Sequence, residues 1–188
     1  MPPKFGVVSK AYTSKPKAGS SSTATLCMYV LSTDINGYLT TASTGVKNNL
    51  KTYLNQHRVI GDSLEIKDAY VINIQVDFEI ITLPNYNSNE VLTQCNQNVQ
   101  QFFNINDWQI NQPIIIKNLE LILNQVPGVQ TVKKVLITNV AGTTSGYSKY
   151  GYDVVGATQN GTVYPSLDPS IFEVKYPDTD ITGRVVNI

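Results

Sequence analysis

The side chain with the most obvious chemical potential is the single histidine, His57, which lies in the segment 55–58. An imidazole can serve as a general base or as a metal ligand near neutral pH. A metal site needs further ligands at suitable spacing, and a catalytic nucleophile needs a base beside it. The sequence has no second histidine and no nucleophile elbow. We therefore expect His57 to interact with the carbonyl groups at the end of a helix, and we predict no catalytic residue, metal or cofactor.

Two pairs of charged residues are further candidates. Arg58 and Asp62 flank a turn and could bind a ligand together, but an ion pair or backbone hydrogen bonds that fix the helix exit are the preferred interpretation. Asp77 and Glu79 are two residues apart on one predicted strand, a spacing that acid–base pairs can use. They share their face with amide side chains, so we interpret them as part of a solvated strand face.

The only tryptophan, Trp108, lies in the polar turn 104–111. A small-molecule-binding or catalytic α+β domain with a site near Trp108 and His57 is the alternative function. It would require an enclosed pocket with strongly perturbed titratable groups.

Aromatic residues are concentrated in the last part of the chain. Tyrosine contributes a large ring and a hydroxyl group, so tyrosines in an extended polar segment are typical of a protein interface. Packing within the chain is the alternative. Only Lys149 supplies charge near the first tyrosines, so stacking on nucleic acid is not expected. The candidate interface residues are Tyr147, Tyr150, Tyr152, Tyr164, Phe172 and Tyr176.

Composition limits the partners. The chain has 14 Lys and Arg and 14 Asp and Glu residues, and charged residues make up only 15% of it. Without a basic excess we expect no nucleic-acid partner. The longest apolar runs are too short to span a bilayer and no signal peptide is visible, so we expect no membrane partner and folding in a cytosol. Cys27 and Cys95 are predicted to be buried free thiols.

Hydrophobic spacing predicts the elements. Apolar and polar residues alternate from Tyr70 to Ile80, which predicts a long strand with one buried face. Apolar runs predict strands at 24–31 and 129–140, and helical spacing predicts one helix before the long strand and two after it. We therefore predict an α+β fold, with a mixed β-sheet and about three helices mainly on one face. Residues 1–140 form the predicted core domain and residues 141–188 an extended β-rich C-terminal arm or subdomain.

Several segments, in a consistent order from about residue 40 onward, resemble the baseplate J-like proteins. They are 54–62, 78–80, 102–103, 108–114 and 126–132. The segment 164–177 is similar to the C-terminal region of the T4-like phage baseplate wedge protein that builds the inner ring. Because members of that type are several times longer, this chain would correspond to their C-terminal part.

The resemblance implies a structural component of a contractile phage tail baseplate that mediates subunit association in the wedge and inner ring. The implied partners are the protein itself, as a dimer or ring, and other baseplate wedge proteins. The implied location is the tail baseplate of the virion, after assembly in the host cytoplasm. Deleting residues from Tyr147 onward is then expected to weaken association more than it unfolds the core domain.

Overall fold

The chain divides into two compact units, residues Met1–Tyr70 and Val71–Ile188. The computed structural model describes residues 7–14, 25–56 and 63–187. Both helices and strands occur in each unit, and the predicted α+β class is confirmed. The described strands form three sheets, where the sequence led us to expect one mixed sheet.

The first unit is a four-stranded sheet with one helix. Its elements are β1 (Lys10–Ser14), β2 (Thr25–Thr33), β3 (Leu39–Thr40), α1 (Thr44–Asn55) and β4 (Ser63–Asp68). The central strand β2 pairs antiparallel with β1 and β3 and parallel with β4. Ser43 caps α1 by accepting a hydrogen bond from the Val46 N–H. Leu50 of α1 packs with Val30 and Ala42 in the core of this unit.

The second unit is built around one long strand. Its elements are β5 (Tyr70–Thr82), α2 (Ser88–Phe102), β6 (Ile114–Ile115), α3 (Ile116–Asn124), β7 (Val129–Asn139), β8 (Thr158–Gln159), β9 (Thr162–Val163), β10 (Ser170–Glu173), α4 (Pro177–Asp180) and β11 (Ile181–Val185). The long strand predicted from Tyr70 onward is thus confirmed as β5. It pairs antiparallel with β7 and parallel with β11, and β10 also lies beside it. The strands β6, β9 and β8 form a small antiparallel sheet.

Two helices cover one face of the central sheet. α2 packs against β11, α3 packs against β7, and the two helices contact each other. Gly183 of β11 allows this close approach, since a Cβ atom there would lie 2.7 Å from the Leu92 Cδ1 atom and closer still to the Phe78 ring. The β5 residues of the core, each at most 1% exposed, are Ile74, Val76, Phe78 and Ile80.

The helix α2 combines a polar cap with a buried face. The Asn87 side chain accepts a hydrogen bond from the Asn89 N–H at 3.0 Å and donates to the Glu90 carboxylate at 3.3 Å. Cys95 is fully buried on this helix, and desolvation raises the pKa of its thiol to about 11. Cys27 is also buried, so both cysteines are the buried free thiols that we predicted.

The segment 141–188 is part of the second unit. Its strands β10 and β11 both lie beside β5, and Ile171, Phe172 and Ile181 are at most 5% exposed. The compact units therefore divide after Tyr70, which differs from the boundary predicted at residue 140. Deleting residues from Tyr147 onward would remove two strands of the central sheet. We now expect that deletion to unfold the second unit, not only to weaken association.

Candidate protein interface

Four of the six predicted interface residues pack against one another within the second unit. The ring centroids of Tyr147 and Tyr176 are 5.3 Å apart, and those of Tyr152 and Phe172 are 5.9 Å apart. Both pairs have the edge-to-face geometry that aromatic rings favour. Phe172 is only 1% exposed. The prediction is wrong for Phe172, because a core residue of β10 cannot reach a partner; packing within the chain accounts for it.

The other two candidates are Tyr150 and Tyr164. Tyr150 is half-buried, with the Lys149 Nζ atom 5.2 Å from its ring centroid. Tyr164 is 49% exposed, and its carbonyl oxygen accepts a 2.6 Å hydrogen bond from the Tyr152 hydroxyl group. Of the six residues, Tyr164 therefore presents the largest exposed fraction to a partner.

A buried polar network around Asn73 of β5 fixes the C-terminal segment to the central sheet. Asn73 and Glu173 are 1% and 3% exposed. The Asn73 Nδ2 atom donates to Glu173 Oε2 at 2.8 Å, and its Oδ1 atom accepts from the Ser148 N–H at 2.7 Å. The Asn73 carbonyl oxygen accepts a 2.8 Å bond from Asn139 Nδ2. Since buried polar groups are stable only when hydrogen-bonded, this network holds β10 and the loop after β7 against β5.

Asp180 is a second buried acid, 1% exposed, at the end of α4. Its Oδ1 atom accepts hydrogen bonds from the Tyr147 hydroxyl at 2.6 Å and from Gln75 Nε2 at 3.3 Å. Its Oδ2 atom accepts from the Tyr176 N–H at 2.8 Å. Partial burial of the hydroxyl and its hydrogen bond to Asp180 raise the pKa of Tyr147 to about 12. The carboxylate therefore has a structural role in joining α4 to β5 and to the loop 141–150.

Alkaline titration of a Tyr147→Phe variant should test this arrangement. The pKa of tyrosine is 10.0 when unperturbed and about 12 for Tyr147 in the folded protein, so the folded state binds the phenolic proton more tightly. The protonated Tyr147 hydroxyl therefore stabilises the folded state. This stabilisation is complete below about pH 10 and is lost as the pH rises through about 12. We expect the urea midpoint of the wild type to fall more steeply over this interval than that of Tyr147→Phe.

Equal slopes for Tyr147→Phe and the wild type would contradict the proposed contact between Tyr147 and Asp180.

The most exposed large apolar side chains in the described part of the chain stand at turns. Local hydrogen bonds fix the backbone of each turn. Asp34 Oδ1 accepts two 2.9 Å bonds from backbone N–H groups, and Asp153 Oδ1 accepts from the Gly156 N–H at 2.9 Å. In the third turn, Ser166 Oγ donates to the Asp168 carbonyl at 2.6 Å. We call these residues the turn tips; they are Ile35, which is fully exposed, Leu167, which is 91% exposed, and Val155, which is 77% exposed. None of the three was predicted from the sequence, although each is an apolar residue within a polar turn.

A groove of about 440 Å³ lies between α1 and β4 in the first unit. Lys47 and Lys51 line it from successive turns of α1, and Leu64 and Ile66 line it from β4. Lys47 is paired with Asp68, whereas Lys51 has no ion pair among the residues that the structure describes. Glu65 also lines the groove from β4 and is paired with Lys67. The groove therefore combines one lysine without an ion pair, one paired carboxylate and an apolar wall.

The residues considered for catalysis or ligand binding do not come together in one described site. His57, Arg58 and Asp62 lie outside the described residues. Trp108 is 3% exposed and packs against Phe102 and Phe103, with ring centroids 5.5 and 5.3 Å away. Its Nε1 atom is buried and has no hydrogen-bond partner within the described part of the chain. Trp108 is thus part of the hydrophobic core at the end of α2.

Asp77 and Glu79 lie on the face of β5 opposite Phe78 and the helices. Both are partly exposed, and Glu79 Oε1 is 3.5 Å from Arg184 Nε on the neighbouring strand β11. The register places Lys134 of β7 opposite Glu79 on the other side. Cross-strand charge pairs of this kind stabilise a sheet. The prediction of a solvated strand face holds for the partly exposed Asp77 and Glu79 but is wrong for Asn73 on the same face, which is 1% exposed.

Within residues 7–14, 25–56 and 63–187, no group of three or more His, Cys, Asp and Glu side chains is placed to hold a metal ion. No helix in the same ranges is long and apolar enough to cross a membrane. No protein-family model matches the chain, and no curated protein matches it.

Proposed function

We propose that the protein is a structural subunit of a contractile phage tail baseplate, and that it binds copies of itself and other wedge proteins in the wedge and inner ring. The three turn tips carry this proposal. Each is an apolar side chain that is at least 77% exposed on a hydrogen-bonded turn. Burying such a side chain contributes about 1.5 to 3 kcal/mol, and a backbone that is already ordered loses little further entropy on binding.

The kind of assembly follows from the resemblance of residues 54–62 and 164–177 to baseplate J-like and wedge proteins. The zero formal net charge is compatible with close packing of many copies, because it limits repulsion between them. The small-molecule alternative near Trp108 and His57 gains no support, since Trp108 is packed among aromatic rings and His57 lies outside the described residues.

Self-association should be visible by light scattering over a concentration series of the purified chain. We expect dimers or larger species for the wild type. A variant in which all three turn tips are replaced by serine should shift toward the monomer, since it loses the apolar anchors. Leu121→Ser is the matched control: this leucine is 57% exposed on α3, away from the turns, and its replacement should leave association unchanged.

A wild-type chain that stays monomeric at all concentrations, and that binds no other tail protein, would contradict the proposal. The location can be tested separately by electron microscopy of purified contractile tails with an antibody against the chain. We expect labelling at the baseplate end of the tail; labelling elsewhere on the virion would contradict the baseplate assignment.

A further inference from the structure

The two units carry opposite net charge, although the whole chain is neutral. Residues 1–70 contain eight Lys and Arg side chains against four Asp and Glu. Residues 71–188 contain six against ten, which together make up the 14 basic and 14 acidic residues of the chain. Surfaces of opposite charge attract and orient approaching molecules. The first unit of one copy therefore has an electrostatic complement in the second unit of another.

The groove between α1 and β4 in the first unit is lined by Lys47 and Lys51 and by Glu65, whose carboxylate is paired with Lys67. The ammonium group of Lys51 is exposed and has no ion pair among the described residues, so it can meet an incoming carboxylate. Leu64 and Ile66 are half-buried in the opposite wall and offer apolar contact. The groove thus suits a short segment with one apolar and one acidic side chain next to each other.

The turn at Leu167 and Asp168 in the second unit has this composition. Leu167 is 91% exposed, and the adjacent Asp168 carboxylate is exposed without an ion pair within the described ranges. The turn is held in shape because Ser166 Oγ donates to the Asp168 carbonyl at 2.6 Å and the Ser166 N–H donates to Ser170 Oγ at 3.2 Å. Ser170 is fully buried, which anchors the turn to the unit beneath it.

We propose that copies of the chain associate head to tail, with the Leu167–Asp168 turn of one copy in the α1–β4 groove of the next. Leu167 packs against Leu64 and Ile66, and Asp168 pairs with Lys51. Leu167 is 91% exposed and can therefore be reached by a second copy. A contact of this heterologous kind closes into a ring or continues as a filament. The inference rests on the proposed self-association and names the surface that produces it.

Charge exchange between the two surfaces tests the pairing in the full-length chain. Lys51→Glu alone and Asp168→Lys alone should each weaken self-association about tenfold, because each replaces an attraction by a repulsion. An equimolar mixture of the two variants should recover association. In that mixture the groove changed by Lys51→Glu can bind the turn changed by Asp168→Lys. The unchanged groove of the second variant can bind the unchanged turn of the first. Both contacts then join opposite charges. Sedimentation velocity measures all of these species, and added salt should weaken the wild-type complex.

Lys133→Glu and Asp107→Lys are the charge-matched controls, since both side chains are exposed in the second unit and outside the two surfaces. They should associate as the wild type does. If the wild type associates but either single exchange has no effect, or if the mixture fails to recover association, the head-to-tail contact is overturned while the proposed function stands. A wild type that stays monomeric also overturns the head-to-tail contact, and it overturns the proposed function if the chain binds no other tail protein either.

Discussion

Replacing Asn73 by alanine is expected to lower the free energy of unfolding of the second unit by about 3 to 5 kcal/mol. The change removes the buried 2.8 Å bond to Glu173 Oε2 and leaves the partly buried Ser148 N–H without this acceptor. A buried group that loses its partner costs more than the bond itself contributed, because no water replaces the partner. Urea denaturation followed by the fluorescence of Trp108, the only tryptophan, measures the loss in this unit.

Asn89→Ala is the matched control for Asn73→Ala. Asn89 is exposed in the first turn of α2, and alanine has a higher helix propensity than asparagine. We expect this variant to stay within about 0.5 kcal/mol of the wild type. A loss at Asn73 no larger than the change at Asn89 would show that the network contributes little to holding the C-terminal segment.

Gly128→Ala should be the other strongly destabilising change, with an expected loss of about 2 to 5 kcal/mol. Gly128 follows α3 with a φ of 96°, a backbone conformation that costs an L-residue with a side chain about 1 to 2 kcal/mol. A Cβ atom would also lie 2.7 Å from the Tyr86 ring and from Val91 Cγ2. The Gly128 carbonyl accepts a hydrogen bond from the Leu83 N–H, so the backbone is not free to move away.

Gly161→Ala separates the two causes. Gly161 also has a positive φ, of 75°, but no atom lies within 4 Å of a Cβ placed there. Its replacement should therefore cost only the backbone contribution, about 1 to 2 kcal/mol. Equal losses at Gly161 and Gly128 in thermal or urea unfolding would mean that Tyr86 and Val91 move aside without cost, which the packing around α2 does not predict.

Local patterns predicted most of the individual elements. The alternation after Tyr70 located β5, and the apolar face with Cys95 at its centre located α2, because period and capping act over a few residues. The strand predicted at 129–140 is β7, and the strand predicted at 24–31 is β2. β4 was not predicted, since its short sequence alternates without a strongly apolar face.

Pairing between distant segments was not predictable from the same patterns. β11 lies parallel to β5, with Ile181 opposite Val76, and β10 lies on the same sheet. Nothing local in residues 170–185 identifies the strand that they join. The extended, aromatic C-terminal segment was therefore interpreted as an arm that needs a partner, although β5 of the same chain receives it.

The interface prediction followed the aromatic residues, which turned out to be largely engaged within the chain. Tyr147 donates a hydrogen bond to a buried carboxylate, and Phe172 is in the core. The presence of aromatic residues alone therefore does not distinguish residues that pack within the chain from residues that bind a partner. Burial decides that distinction, and it depends on the pairing that the sequence does not reveal. The exposed apolar residues that remain, such as Leu167, are isolated in polar turns and have no periodicity.

The parallel pairing of β11 with β5 also affects how the protein is made. A ribosome delivers the chain from its N-terminus, and domains fold as units once their residues are available. Residues 1–70 can pack while synthesis continues, but residues 76–80 of β5 lack their parallel partner until residues 181–185 have been translated. The growing polypeptide therefore exposes this part of the strand edge from the synthesis of β5 until that of β11, and a prematurely terminated product keeps it open.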